Sequence, residues 1–117
     1  MNKEKIIKDS RTFSQIISNK QSVKNKYFSI YYQNSSKTLF GITVPKKVGK
    51  ANIRNKLKRR VKNIIMTNEK DIQINNNYVI IIKEASLELT YQEMVYHLLY
   101  LFKKVGKKWK RKTIQKY

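Results

Sequence analysis

The stretch Lys46–Lys62, KKVGKANIRNKLKRRVK, separates two segments of strand character and therefore sets the order of elements in the fold. Nine of its seventeen residues are Lys or Arg, and none is acidic. Apolar residues recur through and beyond it at helical spacing, which predicts a helix from about Asn52 to Met66. The predicted buried stripe of this helix consists of Ile53, Leu57, Val61, Ile64 and Ile65.

The segments on either side predict a small sheet. Tyr27 to Gln33 and Thr38 to Val44 are rich in aromatic and β-branched residues, and the polar residues 34–36 between them predict that the two strands pair as a hairpin. Tyr78 to Ile82 is a continuous apolar run, typical of a central strand that is covered on both faces. A further short strand is possible near Ser22 to Lys26.

A first helix is predicted before these strands, over Ser10 to Ser18. Its cap is either a capping box of Thr12 and Gln15, or one of the residues Asp9 and Ser10. With the helix that begins within the basic stretch and one more at the end, the order is helix, strand, strand, helix, strand, helix. This order predicts an α+β fold, a two-layer sandwich of one small sheet with helices packed on it.

The last helix has a clear start and a plausible end. Thr90 and Glu93 have the spacing of a capping box, and Gly106 is the expected stop. We expect residues 1–117 to form one domain, because a chain of this length supports one modest core. Residues 1–8 and 107–117 are predicted to be flexible basic tails.

Composition points to an anionic partner. The chain has 27 Lys and Arg against 7 Asp and Glu, a net charge of +20, and such a domain repels itself unless counter-charge is nearby. Biased codon usage is the alternative explanation, but it would supply acidic residues as well. There is no Cys, and no apolar run approaches the roughly 20 residues of a membrane helix, so we expect a soluble, cytoplasmic protein.

The basic helix is the predicted binding surface. At about 100° per residue, Arg54, Lys58 and Lys62 form a row on one face, with Asn55 and Arg59 beside it. Arg offers a planar fork of donors for phosphate, and Asn55 can reach a 2′-hydroxyl or a base edge. An ordinary solvated helix face would mix both signs of charge, whereas no acid occurs between residues 38 and 68.

The same stretch resembles the Arg-Asn-Arg signature of the bacterial ribonuclease P protein family. That pattern is a basic pair, Gly-x-Ala, and then Arg-Asn-x-x-Lys-Arg on a helix. The positions that match it are Lys46, Lys47, Gly49, Ala51, Arg54, Asn55, Lys58 and Arg59. The resemblance extends to the first helix, the first strand and the last helix, and so covers nearly the whole chain.

The resemblance implies a sheet of about four mixed strands with three helices, a ribosomal protein S5 domain 2-like fold with a left-handed βαβ crossover. It implies a subunit that binds the ribonuclease P catalytic RNA and the 5′ leader of precursor tRNA, one protein per RNA, with Mg²⁺ held mainly by the RNA and no catalytic residue in the protein. The expected RNA-binding residues are Lys46, Lys47, Lys50, Arg54, Asn55, Lys58, Arg59, Arg60 and Lys62.

The resemblance also implies a cleft for the single-stranded leader, lined by Phe13, Ile17 and Tyr31. The family commonly has an aromatic residue at the position of Ile17, so this chain departs from the pattern there. Phe13 and Tyr31 have an alternative role as plain core residues, because aromatic side chains at helical or strand spacing are most often buried.

Three other functions compete with this interpretation. A general RNA-binding or ribosome-associated protein would use the same basic face without recognising the leader. A protein nuclease would need carboxylates for metal ions or a His-based acid and base, and neither His97 nor the seven acids form a recognisable constellation. A membrane-surface protein would carry its charge on a free amphipathic helix rather than on one packed against a core.

Overall fold

The computed structural model describes residues 5–7 and 9–115, with side chains through Gly106. Three helices and four strands make up the described chain, joined in part by short 3-10 turns at Lys46–Val48, Glu69–Asp71 and Glu84–Glu88. In chain order the elements are α1 (Ser10–Ser18), β1 (Ser22–Lys24), β2 (Phe28–Asn34), β3 (Leu39–Thr43), α2 (Ala51–Thr67), β4 (Asn76–Ile82) and α3 (Tyr91–Gln115). The α+β class and all three predicted helices are confirmed.

The four strands form one mixed sheet in the order β1-β2-β4-β3. β4 pairs with β2 antiparallel and with β3 parallel, so the predicted hairpin between β2 and β3 is wrong. The connection from β2 to β3 bonds to the segment before β4: Ser35 N–H donates to Asn75 C=O at 3.0 Å, and Asn75 N–H donates to the Thr38 hydroxyl at 2.8 Å. The connection therefore crosses the end of β4, and the apolar strand β4 lies between β2 and β3 in the sheet.

α2 forms the crossover between the parallel strands β3 and β4, as the resemblance implies; the left-handed sense of this crossover stays a prediction. Four of the five residues of its predicted stripe are buried, but Ile53 is 38% exposed. Its side chain lies against Gly49, where an added Cβ would come within 3.3 Å of Ile53 Cγ2. The first turn of α2 therefore packs on the preceding loop rather than on the main core.

The helices cover the sheet unequally. α2 and α3 pack on one face and close the main core, which includes Phe28, Ile30, Tyr78 and Ile80. The other face carries α1 and a small cluster of Ile7, Ile16 and Val79, with Phe13, Tyr31, Leu39 and Ile81 partly buried around it. Because successive strand residues point to opposite faces, one strand supplies both cores.

The cap of α1 is Asp9. Its carboxylate accepts hydrogen bonds from Arg11 N–H at 3.0 Å and from the Thr12 hydroxyl at 3.3 Å. The Thr12 hydroxyl is thus used by Asp9, and the capping box with Gln15 is wrong.

The capping box that starts α3 is confirmed. Thr90 N–H donates to Glu93 Oε1 at 2.9 Å, and Glu93 N–H donates to Thr90 Oγ1 at 3.2 Å. These bonds to Thr90 are the main reason that the pKa of Glu93 lies below its ordinary value. The predicted stop at Gly106 is wrong, since α3 continues to Gln115. One interior glycine costs a helix only about 1 kcal/mol relative to Ala, and the following lysines are good helix formers.

Residues 5–7 lie along β3. Ile7 N–H donates to Phe40 C=O at 2.9 Å, and the Ile7 side chain is buried. Part of the predicted N-terminal tail is therefore packed on the sheet, while residues 1–4 and 8, and the side chains after Gly106, lie outside the described residues. Over the described range, no helix is long and apolar enough to cross a membrane.

Candidate RNA interface

The predicted basic row lies on the flank of α2 that faces α1. Lys58 and Lys62 are exposed, and Arg54 is partly buried. The Arg54 Nε donates to Gly49 C=O at 3.1 Å, which holds the guanidinium beside the start of the helix. The N-terminal end of a helix attracts anions, so the row begins where backbone and side-chain charge add together.

The opposite flank of α2 is also basic. Lys56 and Arg60, one turn apart, line a cavity of about 260 Å³ together with Ile53, Ser86 and Leu87. Sequence reasoning included Arg60 in the interface but missed Lys56. The signal was present in the sequence, because residues four apart lie on one side of a helix. The helix therefore offers positive charge on both sides of its buried stripe.

No acid among the described residues forms an ion pair with these cations. Among the described residues the one ion pair joins Lys5 to Glu69, at 2.8 Å, and neither residue belongs to α2. Most of the predicted RNA-binding residues are exposed, namely Lys46, Lys47, Lys50, Asn55, Lys58, Arg59 and Lys62. A rigid helix with unpaired charge can meet several phosphates without a large ordering cost.

A groove lies between α1, β3 and the basic row. Its cavity, about 250 Å³, is lined by Ile6, Ile7, Phe13, Phe40, Ile42, Lys58 and Lys62. The structure thus brings Phe13, predicted for the leader cleft, to the same cavity as two cations predicted to bind RNA. An aromatic ring next to ammonium groups is the combination that single-stranded nucleic acid requires.

Gly41 gives Phe13 its position. The Phe13 ring lies directly on the Gly41 backbone, and a Cβ at residue 41 would overlap the ring. Sequence reasoning did not identify Gly41 as part of the site. The available signal was an isolated glycine inside a strand pattern, which indicates close approach of another group.

Tyr31 and Ile17, also predicted for the leader cleft, do not line this cavity. Tyr31 is partly buried against the cluster of Ile7, Ile16 and Val79, and Lys24 Nζ lies 5.9 Å from the centre of its ring. Ile17 is 36% exposed on α1. Phe13 and Tyr31 therefore each have one side packed on the small core and another side near cations.

Within the described residues, no three His, Asp or Glu side chains lie close enough together to hold a metal ion. His97 instead contacts aromatic side chains: its ring centre lies 4.6 Å from that of Tyr27. The arrangement of exposed cations beside an aromatic ring can bind and orient an anionic polymer.

Comparisons with known proteins agree on one family. Residues 1–106 match the sequence profile of the family described as Ribonuclease P. The chain is 34% identical over 108 residues to the ribonuclease P protein component of Mycoplasma capricolum, covering 90% of this chain and 99% of the relative. It is 32% identical over 111 residues to that of Bacillus mycoides, covering 92% and 96%.

Solved structures give the same result. A mutant RNase P protein of Staphylococcus aureus superposes with a TM-score of 0.82 at 27% identity, covering 89% of this chain and 90% of the other. The RNase P protein from Thermotoga maritima superposes with a TM-score of 0.78 at 29% identity, covering 84% and 94%.

Proposed function

The chain belongs to the ribonuclease P protein family, and on that basis we propose how its surfaces divide the work of the ribonucleoprotein. As a component of this tRNA-processing enzyme, it takes part in removing the 5′ leader of precursor tRNA. We assign α2 to the catalytic RNA and the groove between α1, β3 and α2 to the single-stranded leader.

The observation that carries the leader assignment is the meeting of Phe13 with Lys58 and Lys62 in one cavity. A single strand is bound by stacking its bases on aromatic rings and placing its phosphates near cations. The groove offers both, and Gly41 lets the Phe13 ring lie close on the sheet while the ring borders the cavity. A duplex would not present its bases to such a ring.

The assignment of α2 to the catalytic RNA rests on its two basic flanks. Lys58 and Lys62 face the groove, whereas Lys56 and Arg60 line the cavity on the other flank of the helix. One helix can therefore contact phosphates of two strands or of two turns of a folded RNA. Each phosphate neutralised releases counterions, so this contact strengthens steeply as salt falls.

We further propose that the RNA subunit holds the catalytic Mg²⁺ and that one monomeric protein acts per RNA. The described carboxylates are dispersed, which leaves the protein an electrostatic and positioning role. By adding positive charge beside crowded phosphates, it would lower the Mg²⁺ concentration that the RNA needs. We also expect the protein to act in the cytoplasm, where precursor tRNA is processed.

The deciding experiment is precursor tRNA cleavage at low Mg²⁺ by a cognate bacterial ribonuclease P RNA, with and without this protein. We expect strong stimulation by the protein and no cleavage by the protein alone. Cleavage by protein without RNA would place catalysis in the chain. A folded protein that gives no stimulation of a competent RNA would contradict the proposed role.

A second comparison tests the leader groove. The holoenzyme should bind precursor tRNA more tightly than mature tRNA, because only the precursor carries a leader for the groove. Equal affinity for the two would favour the alternative of a general RNA-binding protein that uses the basic helix without recognising the leader.

A further inference from the structure

Exposed aromatic rings line the outer side of α3, away from α1. Tyr96 and Tyr100 are 65% and 48% exposed, and their rings stack with centres 6.3 Å apart and planes 17° apart. His97 joins this pair to Tyr27, with ring centres 5.3 Å from Tyr96 and 4.6 Å from Tyr27. We call Tyr27, Tyr96, His97 and Tyr100 the α3 platform; single exposed apolar residues are common on surfaces, whereas a contiguous set indicates a binding surface.

Cations border the α3 platform. Lys104 Nζ lies 4.9 Å from the centre of the Tyr100 ring, and Lys26 Nζ lies 5.8 Å from that of Tyr27. Glu93 lies one helical turn before His97, and its carboxylate accepts a hydrogen bond from Thr90 N–H at the start of α3. Stacked rings with ammonium groups beside them suit unpaired bases and their phosphates.

A series of contacts leads from Tyr31, a residue predicted for the leader cleft, around the β1 edge of the sheet to the α3 platform. Lys24 Nζ stands over the ring of Tyr31, 5.9 Å from its centre, on the α1 side. Lys83 Nζ donates to Asn25 C=O at 2.7 Å, and the Asn25 side-chain nitrogen lies 3.4 Å from Nδ1 of His97.

The charges of the two lysines in this series, Lys24 and Lys83, interact. Burial is the main cause that lowers the pKa of Lys83, and the neighbouring charge of Lys24 lowers it further. Two like charges in proximity favour an external anion between them. β1 has only three residues, so the edge that a bound strand would have to pass is short.

We propose that the α3 platform binds the part of the precursor tRNA leader farthest from the cleavage site. The leader would leave the groove, cross the α1 face of the sheet past Tyr31 on β2, continue over Lys24 and Lys83, and stack its distal bases on Tyr96 and Tyr100. This inference rests on the proposed leader groove and extends it to the opposite face of the sheet. A second copy of this chain fits the platform poorly, because two surfaces rimmed with lysine repel each other.

The test is a series of precursor tRNAs with leaders of about 4 to 16 nucleotides, the range of lengths that single-strand sites cover. Binding to the holoenzyme should tighten as the leader grows beyond the groove. In the Tyr96→Ala, Tyr100→Ala double variant this gain should disappear, a loss of about fivefold or more for each stacked base. Affinity for the shortest leader should equal that of the unaltered protein.

Two further double variants identify the chemistry. Changing Tyr96 and Tyr100 to Phe keeps the rings and should keep the gain, whereas changing both to Leu keeps apolar area but removes the rings and should lose it. Ile74→Ala, at a position 67% exposed and outside the series of contacts, is the matched control and should behave as the unaltered protein.

Two results would contradict the proposal that the leader binds the α3 platform. One is an unchanged length dependence in the Ala double variant, and the other is full binding by the Leu double variant, which would indicate an apolar protein partner instead. If the proposed leader groove itself were wrong, a different result would be seen. Phe13→Ala would then leave the shortest leader bound as tightly as before, whatever the platform variants do.

Discussion

The two faces of the sheet are built from alternate residues of the same strands, yet they serve different purposes. On the α2 and α3 face, Tyr78, Ile80 and Ile82 of β4 are fully buried in the main core. On the α1 face, Val79 is buried but Ile81 is only partly covered, and the nearby Phe13 and Tyr31 are partly buried as well. The α2 and α3 face is closed, whereas the α1 face leaves apolar and aromatic side chains partly exposed, where we propose that the leader binds.

Stability and binding therefore need not compete for the same residues. A well-filled core over α2 and α3 contributes enough free energy that the α1 face can leave apolar rings beside water. Exposed apolar rings favour aggregation, and the positive charge of the lysines beside them opposes it. Four measurements test this division of the sheet, in descending order of the effect that we expect.

The first prediction compares adjacent residues of β4. Ile80→Ala removes a fully buried side chain and should lower the free energy of unfolding by about 2–5 kcal/mol, because it leaves a cavity in a packed core. Ile81→Ala, one residue later on the α1 face, should cost less than half as much. Urea unfolding of both variants measures the difference, and equal losses would show that the two faces contribute alike.

The second prediction uses the buried hydroxyl of Tyr78, which donates to Gln73 C=O at 2.6 Å. Burial is the main cause that raises its pKa from 10.0 to about 12, so the folded state holds this proton more tightly than the unfolded state. The resulting stabilisation is complete below pH 10 and is lost as the pH rises from about 10 to 12. A pKa that is higher by one in the folded state than in the unfolded state corresponds to roughly 1.4 kcal/mol of stabilisation.

Tyr78→Phe isolates this contribution. The variant loses a hydrogen bond at all pH values, but its free energy of unfolding should fall less steeply between about pH 10 and 12 than that of the unaltered protein. Tyr32, whose pKa burial also raises, is present in both proteins and cancels in the comparison. If the free energies of unfolding of the two proteins changed in parallel with pH, burial in the main core would not raise the pKa of Tyr78.

The third prediction concerns the open face. Phe13→Ala should weaken binding of precursor tRNA by about 1–3 kcal/mol relative to mature tRNA, if one base stacks on the ring. Ile17→Ala should have a smaller effect in the same direction, because Ile17 does not line the cavity and has no ring. Competition binding to the holoenzyme measures both. A Phe13 variant that loses stability but keeps its preference for the precursor would assign the ring to the core alone.

The fourth prediction concerns the basic row that borders the open face. Arg54→Ala and Lys58→Ala should each weaken RNA binding and reduce the log–log dependence of affinity on salt by about 0.7–0.9 for each phosphate that the variant no longer neutralises. Lys37→Ala, an exposed lysine in the turn before β3, is the matched control. Slopes that stay unchanged in both α2 variants would remove this flank from the interface.

Much of the framework was predictable because it depends on local pattern. The bounds of α1, the capping box at Thr90, and the core residues of α2 after its first turn follow from spacing that is read within a few turns of helix. The central position of β4 also followed, since a continuous apolar run indicates burial on both faces. The row of Arg54, Lys58 and Lys62 needed only the geometry of a helix.

The errors mostly concern contacts between distant segments. The hairpin prediction was wrong because a short connection after β2 can also cross the end of another strand before the chain enters β3. The hydrogen bonds to Asn75 that hold the connection in this position join residues far apart in sequence. Ile53 has the spacing of a core residue, but it lies at the end of α2 where the loop, not the sheet, is its neighbour.

The amino-acid sequence was sufficient to establish which segments are helices and strands, which side chains seek burial, and that a chain with a charge of +20 needs an anionic partner. These properties depend on periodicity, capping and composition, which act over short distances along the chain. The tertiary structure was needed to show that β4 pairs with β3 as well as β2, that Gly41 receives the Phe13 ring, and that this ring shares a cavity with Lys58 and Lys62. Such arrangements arise from packing among residues far apart in sequence, where many pairings satisfy the same local pattern and only the one that packs both faces of the sheet is stable.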